Sequence, residues 1–160
     1  MQTQRKLFFV ALSNVRSLYN VGAVFRTADA LGVQKIILGG YTGCPPRKEI
    51  TKTALGAENW ISWERRFHLG RALGEYREKG FHVIGLENNI PHALPLSEFT
   101  PAFPLILVVG NELRGISKVV QKQIETSISI PMQGKKESLN VAVAFGIAAY
   151  HINVKLKSKR

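Results

Sequence analysis

The side chains most able to take part in chemistry follow predicted strands or begin predicted helices. They are Asn14, Asn20, Arg26, Asn111, Glu112, Ser138 and Asn140. In a parallel α/β sheet the carboxyl ends of the strands meet at one edge, and ligands bind at that edge. A guanidinium there can hold an anion, and the adjacent Lys135 and Lys136 add positive charge. The set therefore predicts a site that positions an anionic ligand.

Several familiar kinds of site find no support in the sequence. The segment GNELRGIS, residues 110–117, has the glycine spacing of a P-loop, but Ile116 stands where the phosphate-binding lysine belongs. No predicted strand is followed by the GxGxxG fingerprint of dinucleotide-binding proteins, and no serine lies in a nucleophile elbow. The four histidines lack the paired spacing of metal ligands, so we expect no metal. The single cysteine, Cys44, excludes an intrachain disulfide.

The charge balance points to a polyanionic partner. The 160 residues include 22 Lys and Arg against 11 Asp and Glu, a formal net charge of +11, and such an excess favours nucleic acid. The basic residues that could contact it are Arg47, Lys48, Arg65, Arg66, Lys135 and Lys136, with a tail from about residue 155 that holds Lys155, Lys157, Lys159 and Arg160. No apolar run is long enough for a signal-peptide core or a membrane span. We therefore expect a cytoplasmic protein that forms one domain over residues 1–160.

Short apolar runs alternate with helix-like segments, which predicts an α/β fold with a parallel sheet flanked by helices. The predicted strands are 7–12, 36–38, 60–63, 81–86, 105–109 and 127–130. The predicted helices are 21–31, 69–79, 117–124 and 141–149, with Asn20 and Ser138 as N-caps of the first and last. The glycine- and proline-rich segment that carries Arg47, Lys48 and Lys52 is predicted to be an exposed basic loop.

The predicted helix 141–149 is apolar on nearly every side. A small domain cannot bury such a helix against its own sheet alone, so a second covering surface is required. The simplest source is another copy of the chain. We therefore expect a homodimer, with Phe145 and Ala148 at the interface.

Three segments carry a more specific signal. They read LSNVRSLYNVGAVFRTADALGV (12–33), LILVVGNELRGIS (105–117) and ISIPMQGKKESLNVAVAFGIAAY (128–150). In order, spacing and polar residues they resemble the three motifs of the SPOUT superfamily, and more narrowly the TrmH-type RNA ribose 2′-O-methyltransferases. One cluster alone would be weak evidence, but the three together extend over most of the chain, from residue 12 to residue 150, and are specific.

The resemblance implies a fold and a cofactor. The fold is a parallel α/β sheet whose C-terminal segment passes through a loop to form a deep trefoil knot, the SPOUT fold. The cofactor is S-adenosylmethionine, bound largely through backbone groups of the knotted loops, which explains the missing glycine fingerprint. The positions that match its binding loops are Leu86, Gly110, Glu112, Ile130, Met132 and Leu139. The implied substrate is tRNA or rRNA.

The resemblance also implies catalytic roles for Arg26, Asn20, Glu112, Ser138 and Asn140. The family's arginine is proposed to become a general base when a substrate phosphate engages it. Because arginine normally keeps its charge in proteins, we assign Arg26 first to the phosphate of the reacting ribose. Asn20 would position Arg26 or the phosphate, and Glu112 would shape the site beside Gly110. Ser138 and Asn140 would orient the ribose and the cofactor loop.

Each of these residues has a structural alternative. Arg26 could pair with Asp29, which lies three residues later on the same helix. Asn20 and Ser138 could be helix caps only, and Glu112 could be a carboxylate at a helix N-terminus. At the level of the whole protein, the alternative is a catalytically inactive knotted module that binds RNA. Methyl transfer to RNA distinguishes this module from an enzyme.

Overall fold

The computed structural model describes residues 6–88 and 90–158 as a seven-stranded sheet with helices packed on both faces. The strands are β1 (Phe8–Ser13), β2 (Lys35–Gly39), β3 (Ser62–Arg66), β4 (His82–Leu86), β5 (Leu94–Pro95), β6 (Leu105–Val109) and β7 (Thr126–Ser129). The helices are α1 (Leu18–Ala30), α2 (Lys48–Ala54), α3 (Leu69–Glu78), α4 (Lys118–Gln121) and α5 (Val141–Ser158), with 3₁₀ turns at Ala57–Asn59 and Leu96–Glu98. The predicted α/β class is confirmed.

The strand order is β3-β2-β1-β6-β4-β7-β5, and every neighbouring pair is parallel. Phe8 and Val10 of β1 enter the core that includes α1 and α5, whereas Phe9 and Ala11 enter the core that includes α3 and α4. Strands buried on both faces read as unbroken apolar runs rather than alternating ones. This is why β1 and β6 were the clearest strands in the sequence.

The strand register brings distant motifs to one edge of the sheet. Leu12 of β1 and Leu86 of β4 are both level with Val109 of β6. Because these strands are parallel, the residues just beyond their carboxyl ends lie close together. Asn14 and Gly110 are among them, so the first two motifs meet at this edge.

Both predicted N-caps were wrong by two or three residues. Ser17 caps α1, since its Oγ accepts a hydrogen bond of 3.2 Å from the backbone N–H of Asn20. Asn140 caps α5, since its Oδ1 accepts from the backbone N–H groups of the second and third helical residues at 2.9 and 3.3 Å. Serine and asparagine are equally good caps, so residue type alone could not decide which one begins the helix.

The basic segment predicted as a loop contains α2, which carries Lys48 and Lys52. The helix packs against α1 at Gly22, where an added Cβ would collide with Thr53 Oγ1 and the Ile50 carbonyl oxygen. A seven-residue helix is marginal alone, so this contact with α1 accounts for a helix that local sequence did not predict.

Other differences concern the ends of elements. Strand β3 is displaced toward its C-terminus, α4 is shorter than predicted, and α5 continues to Ser158. Lys155 and Lys157 therefore lie on α5, while Lys159 and Arg160 are outside the described residues. Phe145 and Ala148 are fully buried inside the subunit's own core, so their predicted place at an interface was wrong. No helix in the described ranges is long and apolar enough to cross a membrane.

Candidate functional site

A cleft of about 360 Å³ opens at the carboxyl edge of the sheet, beside the ends of β4 and β6 and the start of α5. Its lining consists of residues 86–88, 90, 109–116, 121, 138, 139, 141 and 144. The predicted cofactor residues Leu86, Gly110, Glu112 and Leu139 are among them, as is Ser138. Ile130 and Met132 do not line the cleft. The lining combines apolar side chains with convergent polar groups, as the lining of a small-molecule site does.

The loop that follows β6 forms one wall of the cleft and is tightly folded. Asn111 and Gly115 exchange backbone hydrogen bonds of 3.0 and 2.9 Å, and Asn111 Oδ1 accepts from the Leu113 N–H at 2.9 Å. A Cβ added to Gly110 would lie 2.6 Å from the Ile116 nitrogen and closer still to the Gly115 backbone. Only glycine fits at position 110, and its absent side chain lets the loop close into a compact wall.

Glu112 joins this loop to the start of α1. Its carboxylate accepts hydrogen bonds from the backbone N–H groups of Arg16 and Ser17, both at 3.1 Å, and from Asn20 Nδ2 at 3.3 Å. Burial raises the pKa of this carboxyl, but these bonds and one from its own backbone N–H outweigh burial and hold the pKa below its ordinary value. Glu112 is therefore an ionised acceptor that anchors α1 to the β6 loop.

Asn20 extends the connection to the start of α5. Asn140 Nδ2 donates a hydrogen bond of 3.2 Å to Asn20 Oδ1, while Asn140 Oδ1 caps α5. Glu112, Asn20 and Asn140 thus form a continuous chain of side-chain hydrogen bonds. In the sequence, Asn20 is 92 residues from Glu112 and 120 residues from Asn140. The structure brings together one predicted catalytic residue from each motif.

Arg26 lies outside the cleft, exposed on α1. Among the described residues its guanidinium makes no hydrogen bond or ion pair. The alternative pairing with Asp29 is not formed, and the Asp29 carboxylate accepts instead from Trp60 Nε1 at 2.9 Å. Arg26 follows Ala23 by less than one helical turn and directly precedes Thr27, and both of these line a second depression.

This second depression is an apolar groove between α1 and α5, with a volume of about 530 Å³. The α5 residues Val143, Ile147, Tyr150 and Val154 are 51, 42, 61 and 46% exposed. Their spacing of three or four residues places them on one face of the helix, and the first three line the groove. A continuous exposed apolar face marks an interaction surface.

Sequence analysis missed Glu87 and Asn88, which follow β4 and line the cleft. Glu87 Oε1 accepts from the Ile116 N–H at 3.3 Å and from Gln121 Nε2 at 3.2 Å. Its Oε2 is buried with no hydrogen-bond partner in the described chain, and burial raises the pKa of the carboxyl above its ordinary value. Asn88 Oδ1 accepts from the Ile130 N–H at 3.0 Å, so Ile130 supports a residue that lines the cleft. The sequence signal for Glu87 and Asn88 is that they directly follow the predicted strand 81–86.

The histidines that have polar contacts contact ordinary structural partners. His82 Nδ1 lies 3.1 Å from a Glu125 carboxylate oxygen, and His151 Nε2 lies 3.2 Å from the Phe99 carbonyl oxygen. Within residues 6–88 and 90–158, no group of three or more His, Cys, Asp or Glu side chains is placed to hold a metal ion.

Comparison of the sequence with known proteins identifies relatives. Residues 7–150 match the family model of the SpoU rRNA Methylase family. The putative TrmH family tRNA/rRNA methyltransferase YacO of Bacillus subtilis (strain 168) is 31% identical over 145 residues, which cover 91% of this chain and 57% of YacO. The chain spans about half the length of the curated relatives that it matches.

Two solved structures have the same fold. An AdoMet-bound rRNA methyltransferase from Sinorhizobium meliloti matches with a TM-score of 0.87 at 26% identity, over 98% of this chain and 59% of that chain. A structure described as giving insights into "the 2-OH methylation of C/U34 on tRNA" matches with a TM-score of 0.83 at 25% identity, over 96% of this chain and 98% of that chain. The TrmH-type resemblance of the three motifs is thereby confirmed, and the chain belongs to the SpoU rRNA methylase family.

Proposed function

We propose that this chain transfers the methyl group of S-adenosylmethionine to a ribose 2′-hydroxyl of tRNA or rRNA. The observation that carries the proposal is the hydrogen-bonded chain Glu112–Asn20–Asn140, which joins the three motifs beside the cleft. Family membership supports RNA methylation, and a relative with bound AdoMet has the same fold. The structural match to a protein studied for 2-OH methylation of tRNA supports the ribose hydroxyl as the acceptor.

The cleft fits S-adenosylmethionine in size and in lining. Its volume of about 360 Å³ lies in the range of small-molecule sites, and Leu86, Val109 and Leu139 offer apolar contact to an adenine ring. The bound cofactor supplies a methyl group already activated on a sulfonium. We assign Leu86, Gly110 and Leu139 to direct contact and Glu112 to holding the wall. Ile130 acts through Asn88, and contact with Met132 remains a prediction.

Arg26 binds the phosphate beside the reacting ribose in this proposal. Its guanidinium is exposed, stays charged and can grip a phosphate with two parallel hydrogen bonds. The Glu112–Asn20 contact fixes the start of the helix that carries it. Asn20 positions Arg26 through the start of α1, and Ser138 and Asn140 orient the ribose so that its hydroxyl oxygen meets the methyl carbon. With the cofactor bound, the C–O bond would form as the C–S bond breaks, S-adenosylhomocysteine would leave with the electron pair of that bond, and the hydroxyl proton would pass to solvent water.

We infer that a second copy of the chain covers the groove between α1 and α5. The exposed face formed by Val143, Ile147, Tyr150 and Val154 is apolar and would be covered by the same face of the other subunit across a two-fold axis. Arg26 adjoins this groove, so dimer formation would place it beside the partner. We therefore assign a homodimer to the active protein.

Other parts of the proposal follow from family membership. Residues 1–160 would form one catalytic domain, with the C-terminal segment drawn through a trefoil knot as in the SPOUT fold. Its tRNA or rRNA substrate would be met in the cytoplasm. No metal takes part in this scheme.

The test is transfer of labelled methyl groups from S-adenosylmethionine to total cellular RNA. We expect label in the RNA, and none when the RNA is first digested with nuclease. RNA binding without transfer, at saturating cofactor, would contradict the proposal and favour the catalytically inactive module. Pairing the transfer assay with a cofactor-binding titration separates loss of the cofactor site from loss of chemistry.

A further inference from the structure

A separate depression of about 360 Å³ lies at the carboxyl edge of the sheet, between α3 and α4. Among the residues that line it are Asn14, Phe67, His68, Arg71 and Ser117. None of these has a role in the proposed methyl transfer.

An exposed aromatic ring stands at this depression. Phe67 is 65% exposed, and the guanidinium carbon of Arg65 lies 4.1 Å from the centre of its ring. A cation at this distance is attracted to the face of the ring and favours this orientation. The pair therefore presents an exposed aromatic surface beside a positive charge.

The charges around Phe67 are not balanced locally. The neighbouring Arg66 forms ion pairs with Glu64 and Glu75. Arg65 and Arg71 form no ion pair with any described residue. Two arginines beside an exposed ring are thus available to a polyanion, in a chain of net charge +11.

The depression lies next to the cleft. The Asn14 carbonyl oxygen, in the wall of the depression, accepts a hydrogen bond of 2.9 Å from Asn111 Nδ2, in the wall of the cleft. Ser117 of the depression directly follows Ile116 of the cleft. A strand that lay in the depression would pass beside the wall of the cleft.

We propose that Phe67, Arg65 and Arg71 form a binding surface for an unpaired segment of the RNA substrate. A nucleobase stacks on the face of Phe67 that Arg65 does not cover, and the two arginines bind adjacent phosphates. The inference rests on the proposed function for the identity of the polymer. Base stacking on an aromatic ring combined with backbone neutralisation is the general mode of binding to single strands.

The test is the affinity of the full chain for a fluorescein-labelled, unstructured RNA of about 12 nucleotides, a length within the range of such sites. We expect Phe67→Ala to weaken binding roughly 5-fold or more, without changing the slope of log affinity against log salt. Phe67→Tyr should bind like the wild type, since it keeps the ring. Arg65→Ala should flatten the salt slope by about 0.7 unit, the value for one phosphate contact to a single strand.

Lys79→Ala is the matched control. It removes the same charge, but Lys79 follows the far end of α3 from the depression, and its ammonium lies over the Tyr76 ring. Unchanged affinity in Phe67→Ala, or equal losses in Arg65→Ala and Lys79→Ala, would overturn the inference.

The same variants separate this inference from the proposed function. If the wild type transfers no methyl group while Phe67→Ala loses RNA affinity, the surface stands and the enzyme assignment fails. If the wild type transfers methyl groups and Phe67→Ala keeps its affinity and its KM for RNA, the surface is refuted and the enzyme assignment stands. The same variants can be titrated with an acidic peptide. If Phe67→Ala weakens binding of the peptide but not of the RNA, RNA is refuted as the occupant of the surface.

Discussion

The cleft and the α1–α5 groove are both formed by loops and helices around one sheet, yet they are built differently. The cleft wall is fixed by hydrogen bonds from Glu112, Asn20 and Asn140 and by the close approach at Gly110. The groove is lined mainly by small or apolar side chains, and one of its sides is an exposed apolar face. The residues that line the cleft are linked to one another by hydrogen bonds, whereas the groove leaves its apolar face exposed. Arg26 lies beside the groove and outside the cleft lining. Substitutions at Arg26 can therefore show whether methyl transfer and cofactor binding depend on different regions.

The largest expected effect is that of Arg26→Ala, which should lower methyl transfer by roughly 10²-fold or more while S-adenosylmethionine binding stays nearly unchanged. Methyl transfer should fall because Arg26 holds the phosphate beside the reacting ribose. Cofactor binding should persist because Arg26 does not line the cleft. Arg26→Lys should restore little activity, because lysine keeps the charge but loses the planar two-bond grip on phosphate. Initial rates at saturating RNA and cofactor, with calorimetric titration of the cofactor, measure both quantities.

Near-normal turnover in Arg26→Ala would make Arg26 an ordinary exposed helix residue. Loss of cofactor binding in the same variant would instead mean that Arg26 also supports the cleft, and it would contradict the separate roles of the groove and the cleft.

The next effect concerns the groove. Ile147→Asp should weaken self-association about 100-fold or more, since an unpaired carboxylate buried in an interface costs roughly 3 kcal/mol or more. Leu55→Asp is a control, because Leu55 is 60% exposed and does not line the groove. Sedimentation equilibrium measures the association. A wild type that stays monomeric at micromolar concentration would show that the groove does not receive a second copy.

Gly110→Ala tests the rigidity of the cleft. The added Cβ must displace the backbone of Gly115 and Ile116, so we expect a loss of roughly 1–3 kcal/mol in the free energy of unfolding, together with weaker cofactor binding. Gly134→Ala is the matched control, since a Cβ there meets nothing within 4 Å. Denaturant unfolding and cofactor titration give the two readouts. Equal behaviour of the two variants would mean that the loop after β6 is not closely packed in solution.

A smaller effect distinguishes the two candidate caps of α5. Asn140→Ala should lower the free energy of unfolding by about 1 kcal/mol through loss of the cap, and should also lower activity because the bond to Asn20 is lost. Ser138→Ala should leave stability unchanged. Thermal unfolding of the two variants side by side is sufficient, and a larger loss from Ser138→Ala would restore serine as the cap.

The two carboxylates of the cleft should respond to pH in opposite directions. The pKa of Glu112 is lower in the folded protein than its ordinary value of 4.5. The ionised carboxylate therefore stabilises the fold above pH 4.5, and this stabilisation is lost as the pH falls through the folded-state pKa. The pKa of Glu87 is higher in the folded protein than its ordinary value of 4.5. The stability that the protonated carboxyl allows is fully present below pH 4.5 and is lost as the pH rises through the folded-state pKa. Glu112→Gln should therefore destabilise the protein above pH 4.5, and Glu87→Gln should stabilise it over the same range. Denaturant unfolding of both variants measures these changes. If the free energy of unfolding changes in the same direction in Glu112→Gln and Glu87→Gln above pH 4.5, the assignment of the two pKa shifts is contradicted.

The sequence predicted the parts of this comparison that depend on periodicity and residue type. The central strands were clear because both of their faces are buried, and the end of each strand marked the polar residues near the cleft. What it could not predict were contacts between distant residues. Asn20 was interpreted as a cap because nothing local shows that Asn140 and Glu112 are its partners. Helix α2 depends on the space beside Gly22, and Phe145 points into its own core because of how α5 lies on the sheet.

The most direct test of the central claim is the position of the transferred methyl group. RNA labelled by the protein with radioactive S-adenosylmethionine should be hydrolysed completely in alkali and its fragments separated by size. A methylated 2′-oxygen cannot attack the adjacent phosphodiester, so we predict that the label is recovered in alkali-resistant dinucleotides. Label recovered in mononucleotides would mean that a base is methylated, and it would contradict the assignment of the cleft and its Glu112–Asn20–Asn140 chain to a ribose hydroxyl.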